Sequence, residues 1–263
     1  MAYSDPYFIA SHIGRASGST NYSCSPAEDP VFPLYNAFNG FSQSLFKFSA
    51  TTDPSYVYTN SLAVQATART YIIIPSGHNL AGNTMTVHGS ASGAYAGEEV
   101  QLWTGAVPAG EFYQLLTTPL TQQYCRVKFQ GVLYHAVPQI WIGDRITPVR
   151  GPEPEYKEND IPNLLRITCD SGVTGTSILG PVKRTWELKF SGVEAADLVK
   201  FNTFNSLVSY GADSFWFHPP DDTQGIHLVV LDSFLVKTQD NPAPKSPLGP
   251  TWAIELKMIE AIG

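Results

Sequence analysis

The sequence predicts an all-β protein of two domains, a β-sandwich followed by a second β domain that carries one helix. Three observations lead there. Glycine occurs 21 times and proline 20 times in 263 residues, aromatics make up 12%, and only 15% of residues are charged, against ~25% in an average domain. Such a composition builds short strands and tight turns rather than long amphipathic helices. Short apolar–polar alternations recur in both halves, and one proline- and charge-rich stretch, Val149 to Pro162, lies between them.

Strands of the first half are expected at Tyr56–Tyr58, Thr70–Ile74, Thr84–His88, Glu99–Trp103, Phe112–Leu116, Tyr124–Phe129 and Gln139–Ile142, at the spacing of a sandwich. Three prolines, unable to donate to a sheet ladder, mark 151–162 as a linker between domains 1–150 and 163–263. The second half begins with Leu164–Cys169 and Thr185–Phe190, where Trp186, Leu188 and Phe190 share one face and Glu187 and Lys189 the other. The period then changes: Ser191 with Glu194 reads as a capping box, and Leu198, Phe201, Phe204 and Val208 follow at helical spacing until Gly211. A helix is expected over about 192–209. Strands resume at Ser214–Phe217, Ile226–Phe234 and Thr251–Ile259, with a proline-rich loop from Asp240 to Pro250 before the last.

Lys+Arg of 16 against Asp+Glu of 23 gives a net charge of −7 without any basic run, so the electrostatic footprint of a nucleic-acid binder is missing. Cys24, Cys125 and Cys169 are odd in number and far apart, and read as reduced, mostly buried thiols. Residues Met1 to Pro6 lack a basic segment followed by an apolar one, and no later run approaches the ~18 apolar residues of a membrane span. Synthesis in a cytoplasm without standard export is therefore expected, and the Asn21-Tyr22-Ser23 glycosylation triplet carries no meaning there.

Patterns that carry chemistry are scarce. Gly175-Thr176-Ser177-Ile178-Leu179 fails the last position of a nucleophile elbow and precedes no helix. Gly82 and Gly89 lack the spacing and the lysine of a phosphate loop. His12, His78, His88, His135, His218 and His227 form no metal-ligand pair, and Asp221-Asp222 lacks the spacing of a calcium loop. Glu111, Asp144, Glu187 and Asp213 are carboxylates from which a glycosidase pair could come, and Tyr95 and Tyr134 are aromatics that could stack on sugars. No catalytic residue, cofactor or metal ligand is expected.

Two stretches resemble known families. Leu34-Tyr35-Asn36-Ala37-Phe38-Asn39-Gly40, the strand Tyr71 to Ile74 with its continuation to Leu80, and Thr86-Val87-His88-Gly89-Ser90 resemble discoidin-like, galactose-binding-type jelly rolls. Pro138 to Ile146, Trp186 to Val193, Phe215 to Pro220 and Trp252 to Leu256 resemble tail proteins of long-tailed bacteriophages. That resemblance implies a tail-tube-like β-barrel or sandwich with one helix, in a virion protein of the distal tail assembled in the bacterial cytoplasm. It implies a homo-oligomeric ring around the DNA channel, in contact with tail tube, hub or tip and tape-measure proteins. Trp186, Phe190, Trp216, Phe217, Trp252, Pro244 and Pro247 are the residues then expected at the assembly interface. A carbohydrate-binding module gripping host surface glycans is the alternative, and a glycan-degrading enzyme a third.

Overall fold

The computed structural model describes residues 6–9, 22–39, 44–60, 68–131, 135–148, 151–153, 156–162, 164–168, 174–178, 182–208, 211, 213–220, 225–239 and 251–261, the backbone alone for 164–168 and 174–178. It is mainly β, as the composition implies. The chain divides into two compact units, one of residues 11–145 and one of residues 1–10 with 146–262.

Strand β1 (Tyr7–Ile9) belongs to the second of these units. The first, the sandwich unit, runs through β2 (Tyr22–Ser25), a 3-10 turn at Leu34–Ala37, β3 (Phe46–Lys47), β4 (Ser55–Asn60), β5 (Arg69–Ile74), β6 (Thr84–Ser90), β7 (Val100–Ala106), β8 (Phe112–Leu120), β9 (Tyr124–Gln130), β10 (Ala136–Val137) and β11 (Trp141–Gly143). Pairing is antiparallel throughout, in the orders β2-β4-β9-β6-β7, β11-β5-β8 and β10-β3. Alternation decides which face is inward. In β4, Val57 is buried while Tyr56 and Tyr58 are half-exposed; in β9, Cys125, Val127 and Phe129 are buried between half-exposed Tyr124, Arg126, Lys128 and Gln130. These inward residues share one core with Ile72 and Ile74 of β5 and Phe112 and Leu116 of β8, so two sheets close face to face.

The second unit continues through β12 (Lys157–Ile161), β13 (Leu164–Thr168), β14 (Thr174–Ile178), β15 (Lys183–Val193), α1 (Ala195–Leu207), β16 (Phe215–His218), β17 (His227–Gln239) and β18 (Thr251–Glu260). Its main sheet has the order β1-β16-β17-β18-β15-β12, and β13 pairs with β14. On one face, Trp186, Leu188 and Phe190 of β15, Ile254, Leu256 and Met258 of β18 and Phe8 of β1 pack with Phe201 and Phe204 of α1. Each such side chain contributes roughly 1.5–3 kcal/mol by leaving water.

The structure differs from the sequence reading at three places. The linker expected over 151–162 contains an edge strand: Lys157 to Ile161 pair with Lys183 to Glu187 of β15. Its prolines lie outside that strand, and its charges suit an exposed edge. The capping box is not formed, because β15 runs on to Val193 and the Ser191 hydroxyl donates instead to Glu153; Glu194 occupies the N-cap, its side chain making no capping bond to the helix. The first residues join the second unit instead of the first, because β1 pairs with β16, Tyr7 opposite His218 and Ile9 opposite Trp216.

Candidate functional site

The register of the five-stranded sheet aligns its outward residues in rows, since directly paired residues point to one face. Ser23, Tyr58, Arg126 and His88 form one row; Asn60, Tyr124 and Ser90 the next. The second row is the end of the sheet, where β4 and β6 finish and β9 starts. Beside it, the loop after β6 bends back and sets Tyr95 5.6 Å from Tyr58, centroid to centroid. Tyr22, Ser23, Tyr58, Asn60, Tyr95, Tyr124 and Arg126 thereby line an open cleft of about 500 Å³.

Its walls are held from behind. The Arg126 guanidinium lies over Tyr95 at 4.5 Å and Tyr56 at 5.3 Å and meets the Glu99 carboxylate at 3.3 Å. Tyr95 has a φ of +49°, a left-handed conformation rarely taken by an aromatic residue. The Glu98 carboxylate enforces it, accepting from Ser90 Oγ at 2.6 Å, Ser92 Oγ at 2.8 Å, Tyr95 N at 2.9 Å and Ala96 N at 2.7 Å. The Ser90 and Ser92 hydroxyls, first among these donors, bring the Glu98 pKa down to about 2. Gly93, at φ +78°, sits against the Tyr124 ring, where a Cβ would come within 2.9 Å of an aromatic carbon. Burial drives the Tyr95 phenol pKa strongly upward, and its Oη has no hydrogen-bond partner. Burial first, then the Arg126 charge, lowers the pKa of His88. The cleft thus offers neutral aromatic and hydroxyl surface, with its one guanidinium already paired.

Of the sugar-stacking candidates, Tyr95 lies in this cleft, and Tyr134 lies outside the described residues. Tyr58, Tyr124 and Arg126 escaped notice as ligand-facing residues, although the alternation of β4 and β9 places them on one face. Burial moves Cys24 up to about 11 and Cys125 up to about 12; both thiols are free, and Cys169 lies outside the described residues.

The assembly candidates are placed mostly indoors. Trp186, Phe190 and Phe217 are buried in the second unit's core, and Trp216 is 4% exposed on β16. Trp252 is half-buried against the same core. The surfaces of Trp186, Phe190, Trp216 and Phe217 are consumed within the chain, so these four side chains do not form an outer face. Pro244 and Pro247 lie outside the described residues, as do His12, Asp221 and Asp222.

Among the four carboxylates considered as glycosidase acids, Glu111 and Asp144 belong to the sandwich unit and Glu187 and Asp213 to the other. None lines the tyrosine cleft. Glu187 lines a hollow of the other unit, on the outer face of the six-stranded sheet, with Glu153, Glu255, Lys157, Lys189 and Lys257. There Lys189 pairs with Glu153 at 3.4 Å and, beside them, Lys237 with Glu255 at 2.8 Å, a ladder of ion pairs. Among the described residues no group of three His, Cys, Asp or Glu side chains is placed to hold a metal ion.

No protein-family profile matches the chain, and no curated protein matches it. Solved structures do. Chitosan-binding module 1 of a chitosanase/glucanase from Paenibacillus sp. IK-5 aligns at a TM-score of 0.42 and 18% identity, covering 50% of this chain and 98% of that one. The family 32 carbohydrate-binding module of Clostridium perfringens NanJ, in complex with galactose, aligns at 0.39 and 14%, covering 54% and 99%. A C. perfringens module described as CpGH89CBM32-6 aligns at 0.40 and 11%, covering 51% and 99%.

Proposed function

We propose that the chain is a carbohydrate-binding protein whose sandwich unit grips a glycan in the cleft between Tyr58, Tyr95, Tyr124 and Arg126. The observation that carries this reading is the preorganised aromatic wall: four tyrosines line one concavity, and Tyr95 is locked by the Glu98 carboxylate. Rigid aromatic faces take the C–H side of a sugar ring at little entropic cost, while Ser23 supplies a hydroxyl at the rim. The reading involves recognition without bond cleavage. A glycan array on the full chain, followed by calorimetry on the hits, tests it. Binding that falls at least ten-fold, roughly 1.4 kcal/mol, in Tyr58→Ala and in Arg126→Ala with unchanged unfolding temperature supports it. Silence across the array overturns it.

A second reading, a ring-forming subunit of a phage tail, draws support from one feature of the other unit. β16 pairs with β17 only from His227 to Val229, whereas β18 pairs along it to Gln239. Among the described strands, Ser233 to Gln239 therefore has a hydrogen-bonded neighbour on one side only, with Leu235 49% and Val236 39% exposed. Such an edge joins copies when symmetry places another strand there. Native mass spectrometry at high concentration should find a closed oligomer that Leu235→Lys breaks; a monomer under all conditions removes this reading.

A further inference from the structure

We propose that the site takes an extended, non-acidic glycan of at least two rings, which crosses the edge strand β2 from the tyrosine cleft into a second hollow beside the Leu34–Ala37 turn. This rests on the carbohydrate reading of the cleft and adds length and charge class to it.

The second hollow has a volume of about 440 Å³ and is lined by Tyr22, Ser23, Cys24, Ala27, Glu28, Pro33, Leu34 and Tyr35. Tyr22 and Ser23 line the first cleft as well, so the two concavities are neighbours and β2 is the ridge between them. The ridge is firm, for Tyr22 stacks on Phe38 at 5.1 Å. The far side is firm too. Glu28 Oε2 accepts from Leu34 N, Asn36 N donates to Pro33 O at 3.0 Å, and Asn36 Nδ2 donates to Leu45 O at 2.9 Å. On this fixed turn Tyr35 stands 58% exposed. Folding has left a large aromatic face uncovered on a rigid mount, one ridge away from another aromatic surface. A chain of sugar rings fits both, because each ring presents an apolar side to an aromatic face and hydroxyls to the rim.

Charge selects among such chains. The cleft's guanidinium is neutralised by Glu99 at 3.3 Å. The remaining ionised groups of the two hollows and the supporting loop, Glu28 and Glu98, are negative. A uronate, sialate or sulfate would face the Glu28 carboxylate in the hollow beside the turn and the Glu98 charge behind Tyr95, whereas a hydroxyl or an amine meets Glu28 as an acceptor.

The test is calorimetry on the full chain with glucose, galactose and glucosamine, each as monomer and as β-linked dimer and trimer, beside a uronate trimer at low salt. At least one neutral or amino series should gain ten-fold or more from monomer to dimer. Tyr35→Ala should abolish that gain while leaving monomer affinity unchanged, and the uronate trimer should bind at least ten-fold more weakly. Monomer binding without a gain on lengthening, a gain that survives Tyr35→Ala, or preference for the uronate overturns this proposal and leaves the cleft reading standing. Failure of every saccharide to bind overturns both.

Discussion

Glu98 organises the candidate site at the level of single residues, although it touches the cleft only through Tyr95. Its depressed pKa means that the charged form is the one the fold prefers. The order it lends to the 91–99 loop is therefore fully present above its ordinary pKa of 4.5 and is lost as pH falls through about 2. Amide exchange at Tyr95 and Ala96 should accelerate over that window and should be fast already at neutral pH in Glu98→Gln, which keeps the size of the side chain but not its charge. Glycan affinity should fall in parallel. An unchanged exchange profile in the variant would mean that the strained Tyr95 is held by something else. The faces of Tyr58 and Tyr124 were open to a sequence reading, since alternation in Tyr56-Val57-Tyr58-Thr59-Asn60 and Tyr124-Cys125-Arg126-Val127-Lys128 already assigns them. What remained hidden was the pairing of β4 with β9, which alone puts Tyr58 opposite Arg126.

Elements show the same division between local and non-local information. β15 reads directly, because five consecutive residues alternate cleanly and its inward face is aromatic. α1 reads from its spacing, and Gly211 closes the segment as expected, its N–H bonding Val208 O at 2.9 Å. That glycine has φ +96°, and a Cβ there would lie 2.5 Å from the carbonyl oxygen of Leu231. Gly211→Ala is expected to cost about 1–3 kcal/mol through backbone strain and more through the clash, seen as a lower unfolding temperature with faster exchange confined to α1 and β17. β1 and β12 do not read at all. One has three residues and the other is polar in four of its five, three of them charged, so neither carries a periodic signal; each exists because a longer strand offers it an edge. Shortness is no measure of importance. Phe8 is fully buried, and its ring lies 4.8 Å from Phe204 and 5.5 Å from Phe217. Phe8→Ala should destabilise the second unit by about 3–5 kcal/mol, as chemical denaturation followed by the tryptophans Trp186 and Trp216 would register.

At the scale of the whole molecule, the sandwich unit is an insertion within the chain of the other unit. The chain leaves the six-stranded unit after β1 and returns at Ile146, and those two points are bonded to each other: Phe8 N donates to Ile146 O at 3.0 Å and Ile146 N to Phe8 O at 2.8 Å. Entry and exit therefore lie one strand spacing apart, the arrangement in which an inserted domain strains its host least. Composition could not reveal this, because proline and charge mark the stretch near residue 150 and nothing marks the crossing near residue 10. The consequence is an asymmetry between two truncations. Residues 146–263 alone lack β1, leave the edge of β16 bare and lose Phe8 from their core, and should fail to give a cooperative unfolding transition. Residues 1–9 joined to 146–263 by a short Gly-Ser linker restore the strand at a closure cost that grows only slowly with linker length, and should fold. Circular dichroism melts of the two would decide it. Equal behaviour, whether both fold or neither does, would mean that β1 is not what completes the unit.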